Sequence, residues 1–260
     1  MIERMHGEDL PRNPIAEVVF ELRWKLIGEL SSGIPPTDPG YKLMVGSFYE
    51  RVRPLYPIHE QLPAATIPDE FAPYIVQHRF RRVEGGYPLV QVGPGILSVN
   101  DTSSYSWKTF LPTIVEAVGH LRDTYIGVLA PEVISLRYIN AIPFDFLSHD
   151  VLDCMRDDLK VSVAFPEQLF REQPVEQRPS GFSLQSVHAL ADPEGTVVLK
   201  IGTADVNGER RLLWETVVQS SGQAAPQLTE LAEWLGKAHA LARGWFFTLI
   251  EGRIESEYRR

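Results

Sequence analysis

Val19-Phe-Glu-Leu-Arg-Trp24 and, much further along the chain, Val133-Ile-Ser-Leu-Arg-Tyr138 read alike without gaps, and these two stretches set the expected fold. In the first, Phe20, Leu22 and Trp24 alternate with Glu21 and Arg23, the period of a strand with one buried face. The second keeps Val, Leu and Arg in place and exchanges one aromatic residue for another.

Each stretch opens a similar succession. After the first, residues 31–40 read as a loop by composition, and Tyr41, Met44, Phe48, Val52 and Leu55 then recur at helical spacing up to Pro54 and its surroundings. Residues 74–82 and 87–100 read as two strands joined through Glu84-Gly-Gly86. Phe110, Ile114, Ala117, Val118, Leu121 and Tyr125 mark a further helix, with Pro112 placed in its first turn, where proline is tolerated. After the second stretch come a short helix at 150–160, a Pro/Gln/Glu-rich loop at 166–180 and strands at 182–191, 196–204 and 211–220. A long helix then carries Leu228, Leu231, Leu235, Ala238, Ala242, Trp245 and Leu249 on one face. Gly86-Tyr-Pro-Leu-Val-Gln-Val-Gly93 also aligns on Gly195-Thr-Val-Val-Leu-Lys-Ile-Gly202. The pattern predicts an α+β fold of two similar strand-helix-strands-helix halves, 1–129 and 130–260. They share a mostly antiparallel, curved sheet with helices on one face, as one pseudo-duplicated unit. Convergence of short hairpins is the alternative source of the similarity, and both stay open at this point.

With 260 residues, 44% of them apolar and 23% charged, the chain is long enough to bury a core without a disulfide or structural metal. Its single cysteine, Cys154, makes neither an internal disulfide nor a cysteine-based zinc site, which points to a reducing compartment; the expected location is cytoplasmic. The first residues lack the apolar core of a signal peptide and no run approaches a membrane span, so no membrane association is expected. A net charge of -9 disfavours direct nucleic-acid binding, since only Arg79, Arg81 and Arg82 cluster.

The chain carries no G-x-S-x-G, H-E-x-x-H, G-x-x-x-x-G-K-[ST] or C-x-x-C. Gly93-Pro-Gly-Ile-Leu-Ser98 fails as a dinucleotide fingerprint because proline holds the second position and serine the sixth. Asp192-Pro-Glu-Gly-Thr-Val-Val-Leu-Lys200 lacks the second acid of a nuclease strand. Among seven histidines none has the short paired spacing of a zinc site, and His120 and His239 read as partly exposed helix residues. No catalytic residue, metal ligand or cofactor is therefore assigned. The pattern places Arg23 and Arg137 opposite the apolar set, on the uncovered sheet face. There they serve either as one anion-accepting patch or as local ion pairs with a strand neighbour such as Glu21 or Glu215. Tyr105, Trp107 and Phe110 form a second candidate surface. Helical spacing turns Trp245 and Phe246 inward and leaves Phe247 exposed as a partner contact.

Four pieces in this order and spacing carry a resemblance: residues 13–24, Val90-Gln-Val-Gly-Pro-Gly-Ile-Leu-Ser-Val-Asn100, Trp107-Lys-Thr-Phe110 and Leu136-Arg-Tyr-Ile-Asn140. With them the chain resembles a sporadically distributed family of prokaryotic proteins of about this length, from residue 13 to the terminal helix. The Val-Gly-Pro and Leu-Arg-Tyr-Ile-Asn pieces are the most specific; residues 101–106 depart from the pattern. The resemblance implies no activity. It implies mobile gene cassettes, of a defence or toxin-related kind, and recurrent positions at Arg23, Gly93, Pro94, Asn100, Trp107, Arg137, Tyr138 and Asn140. Gly93-Pro94 is expected to bend the sheet, Asn100 to cap the turn before the helix and Asn140 to bond a strand-end backbone group. The functional expectation is a non-catalytic binding or interaction protein whose partner is another protein, with homo-oligomerisation left open. The alternative is a small-ligand sensor or enzyme with an anion-binding cleft near Arg23 and Arg137. The candidate contacts are Arg23, Arg137, Asn100, Asn140, Trp107 and Phe247.

Overall fold

The computed structural model describes residues 10–29, 33–102, 104–145, 148–171, 174–206 and 208–260. The opening stretch forms β1 (Ile15–Trp24), in which Val18, Phe20, Leu22 and Trp24 are fully buried while Glu21 and Arg23 face the other way. Two short strands follow, β2 (Ile27–Glu29) and β3 (Ile34–Thr37), paired with each other. The loop expected over 31–40 thus holds a strand in its described part. Helix α1 (Pro39–Val52) buries Tyr41, Met44, Phe48 and Val52 as its spacing predicts. Leu55 lies beyond its end and is exposed.

A strand without a sequence signal, β4 (Ile58–Gln61), precedes β5 (His78–Arg81). Residues 87–100 prove to be two strands, β6 (Leu89–Gly93) and β7 (Ile96–Asp101). Gly93 and Ile96 close this hairpin, so Pro94-Gly95 is its turn and does not merely bend one strand. Proline presets the first turn position and Gly95, at φ +74°, takes the left-handed second one. Gly93 has a separate reason to be glycine. A Cβ there would lie 1.9 Å from the Ile75 carbonyl oxygen, because the chain before β5 crosses this end of the sheet.

Helix α2 (Trp107–Thr124) carries the expected buried stripe, although Pro112 falls in its second turn and removes one intrahelical bond. The second half runs through β8 (Pro131–Pro143), α3 (Val151–Asp158) and α4 (Gln168–Arg171), the last inside the expected 166–180 loop. It continues through β9 (Ser183–Ala191), β10 (Glu194–Val206), β11 (Glu209–Ser221), α5 (Leu231–Ile250) and α6 (Arg253–Tyr258).

Among the described residues, nine strands make one sheet in the order β4-β5-β6-β7-β1-β8-β11-β10-β9, with every pairing antiparallel. The fold is α+β. From the central β1·β8 pair the strands run outward as β7-β6-β5 on one side and β11-β10-β9 on the other. In that central pair Glu21 lies opposite Ser135, Arg23 opposite Val133 and Val19 opposite Arg137. One core cluster joins β1, β6, β7 and β8 to α1, α2 and α5; a second joins β10 and β11 to α3, α6 and the end of α5. Both lie on one side of the sheet, because residues 197, 199 and 201 of β10 and 212, 214 and 218 of β11 share the face of Leu136. The opposite face is polar.

Candidate functional site

The polar face holds both arginines. Val19 is paired with Arg137, and β1 alternates, so Arg23 and Arg137 project from the same side of neighbouring strands. They stand four residues apart along the strands, about 13 Å at strand rise, too far for one small anion to bridge. Each has a local partner. Arg23 Nε lies 2.7 Å from Glu21 and its guanidinium 5.4 Å from the centre of the Tyr74 ring. Arg137 Nε lies 3.4 Å from Glu215, which also receives Lys200 Nζ at 3.1 Å. Their side chains are 39% and 41% exposed, the setting in which an ion pair contributes little.

Asn100 lies on this same face, within β7, and caps no turn. Its Nδ2 donates to Glu17 at 2.7 Å, and its Oδ1 accepts from Gln91 at 3.1 Å and from Ser98 at 3.2 Å. The chain of bonds continues through Arg79, which donates to Gln91 and Glu60, and Arg81, which donates to Glu60 at 2.7 Å. This ladder crosses five strands with its polar groups paired, so it holds the sheet edge together and leaves little unsatisfied for a ligand.

The concave site is on the helix side. Between the start of α2, the second half of α5, strands β8 and β11 and the residues leading into β1 lies a cleft of about 140 Å³, lined by Trp107, Tyr138, Asn140, His239, Arg243 and Phe247 among others. Three expected contacts thus come together here, Trp107, Asn140 and Phe247, while Arg23, Arg137 and Asn100 do not take part. Phe247 is 5% exposed, not the outward contact expected; α5 turns its ring into the second core cluster, with the Arg243 guanidinium 4.8 Å above it.

Three side chains form a hydrogen-bonded line along the cleft. The Tyr105 and Tyr138 hydroxyls are 2.8 Å apart, and the Tyr138 hydroxyl lies 2.7 Å from His239 Nδ1. Trp107 stacks on the His239 ring at 4.0 Å and 8°, fixing the imidazole plane. Burial first, and then the neighbouring Tyr105, push the Tyr138 phenol well above its ordinary range, so it stays protonated. With a single proton on Tyr138, the line polarises in one of two senses: Tyr105 to Tyr138 to the imidazole, or the reverse.

Asn140 completes the site. It is 2% exposed, and its Oδ1 has no hydrogen-bond partner, so it does not bond the strand-end backbone as expected. Directly across the ladder, Trp214 is fully buried with an unpartnered Nε1. An acceptor and a donor without partners on one cross-strand pair are uncommon, since more than nine in ten buried polar groups are satisfied.

The sequence groups Tyr105 and Trp107 by aromatic character and reads His239 as a partly exposed helix residue; the fold packs the His239 ring on Trp107 and bonds it to Tyr138. The signal was present: residues 235, 239, 242 and 246 follow the inward stripe of α5, which places this histidine on the face toward the sheet.

Two other groups are accounted for without a ligand. The Cys154 thiol is pushed up to about 12 by burial and by its contact with Asp158, which makes it a poor nucleophile at neutral pH. His59 and His78 stack on the α1 side of β4 and β5 with ring nitrogens 2.8 Å apart, beside Tyr49 and Phe80. Among the described residues no three His, Cys, Asp or Glu side chains converge as a metal site, and no helix is long and apolar enough to cross a membrane. Comparisons with family models, with curated proteins and with solved structures found no match to this chain.

Proposed function

We propose that this α+β chain is a non-catalytic binding protein whose cleft between α2 and α5 holds a small ligand. The observation that carries the reading is Asn140 Oδ1, a buried acceptor without a partner in the cleft that also holds the Tyr105–Tyr138–His239 line. A group left in this condition costs about 1–3 kcal/mol, and an occupant bearing a donor removes that penalty. This moves the ligand site of the sensor alternative from the two arginines to the opposite side of the sheet. Asn140→Leu tests it. Replacing the amide by an apolar group of similar shape is expected to leave the urea-unfolding free energy unchanged or slightly higher, and to abolish binding of any small molecule that protects the wild-type chain thermally. A loss of more than about 2 kcal/mol would show that the amide is bonded within the fold, and the reading would fall.

A protein partner, from the same gene cassette by the resemblance to the prokaryotic family, is the second reading. It is favoured by Ile27 and Ile34 on the β2·β3 ribbon and Phe71 beside it, three large apolar side chains left exposed on contacting elements. Phe71→Ser is expected to reduce co-purification of neighbouring gene products, and unchanged recovery would remove this reading.

A further inference from the structure

The start of α2 points to the chemistry of the occupant. Ser106, the N-cap residue, has extended backbone angles suited to capping, yet its side chain makes no cap hydrogen bond, and no acidic residue stands in the first turn. The Thr109 and Phe110 N–H groups bond back to the Ser106 carbonyl; those of Trp107 and Lys108 have no acceptor among the described residues. Lys108, at the second helical position, adds a cation to the positive pole of the helix, where an anion is the stabilising charge. Ser106 and Trp107 line the same cleft as Asn140, and Arg243 lines it from α5. The uncapped helix end and the unpartnered Asn140 oxygen are independent observations that meet in one place. The cavity of about 140 Å³ matches the ~150 Å³ that admits one benzene ring.

Resting on the reading of this cleft as a ligand site, we infer that it takes a small ring-bearing carboxylic acid that also carries a hydrogen-bond donor. The carboxylate sits on the Trp107 N–H group and the Ser106 hydroxyl, which line the cleft. The ring lies against the aromatic wall of Trp107 and Phe246, and the donor meets Asn140 Oδ1.

The test uses the full chain with 4-hydroxybenzoate and its neutral isostere 4-hydroxybenzamide, titrated by calorimetry. The acid is expected to bind at least about tenfold tighter than the amide, as an ionic group at a helix N-terminus requires. Ser106→Asp supplies an internal carboxylate at the same helix end. It is expected to raise the melting temperature, since Ser106 makes no cap bond of its own, and to weaken the acid about tenfold and the uncharged amide by a smaller factor. Should that variant not fold, Lys108→Glu in the exposed first turn makes the same comparison. Equal affinity for acid and amide would overturn the anion assignment while the ligand site stands. Binding of neither compound overturns both, and full acid affinity in either variant overturns the placement at α2.

Discussion

Asp38→Ala should be among the most damaging single substitutions in this chain. The Asp38 carboxylate is 3% exposed and accepts four hydrogen bonds: from Trp24 Nε1 and the Gly95 N–H, both at 2.9 Å, from the Tyr125 hydroxyl at 2.8 Å, and from the Tyr41 N–H at 3.1 Å. It thereby ties the end of β1, the β6–β7 turn, the end of α2 and the N-terminus of α1 to one point. Alanine strands the Trp24 indole and the Gly95 amide, each worth about 1–3 kcal/mol when buried without a partner, and removes an N-cap worth ~1 kcal/mol. The expected total is about 3–7 kcal/mol, a large share of the ~5–15 kcal/mol by which domains are stable.

Asn at position 38 keeps one acceptor oxygen for Tyr41 and Tyr125 but turns an NH2 group on two N–H donors, so it should recover less than half the loss. Tyr125→Phe removes a single donor, one that burial and the Asp38 bond keep protonated by raising its pKa. It should cost about 1–2 kcal/mol. Urea unfolding followed by far-ultraviolet circular dichroism measures all three. A cost below about 2 kcal/mol for Asp38→Ala, or equal costs for Asp38→Ala and Tyr125→Phe, would refute the idea that this carboxylate is a hub.

Two further outcomes are expected. His78 has its pKa lowered by burial and then by His59, so its folded value lies below the unfolded one; the stability it contributes is present above about pH 6.5 and lost as the pH falls. Unfolding free energies between pH 8 and pH 5 should therefore decline less in His78→Gln than in the wild type, and parallel curves would contradict this. Arg23→Ala and Arg137→Ala should each change stability by about 0–1 kcal/mol and leave binding in the α2–α5 cleft unaltered, since both guanidiniums stand on the opposite face; a larger loss in a melt would show that one of the ion pairs is structural.

The repeated order of elements around β1·β8 leads us to propose that the halves are copies of one unit. Glu21 faces Ser135 at the middle of the central pair, with Val19 opposite Arg137 and Arg23 opposite Val133, the register expected if equivalent strands meet about a twofold axis. Superposition of residues 15–126 on 131–250 should bring Arg23 onto Arg137.

Periodicity alone determined β1, β8, the three strands of the second half and the stripes of α1, α2 and α5, because burial of one face imposes a period of two or of 3.6 on the residues themselves. It also put Arg23 and Arg137 on the open face and named Glu21 and Glu215 as their partners, since strand alternation and local pairing are short-range properties. The edge strand β4 escaped because only alternate residues of a short, half-exposed strand need be apolar, and Ile58-His-Glu-Gln61 carries one. The cleft was beyond reach for a different reason. Its parts, Trp107 at the start of α2, Tyr138 and Asn140 on β8, and His239 on α5, are far apart in sequence, and only the packing of two helices over the sheet brings them together. Whether Asn140 is satisfied, and on which side of α5 Phe247 lies, depend on which atoms stand within about 3 Å in space, a quantity that neighbouring positions in the chain do not encode.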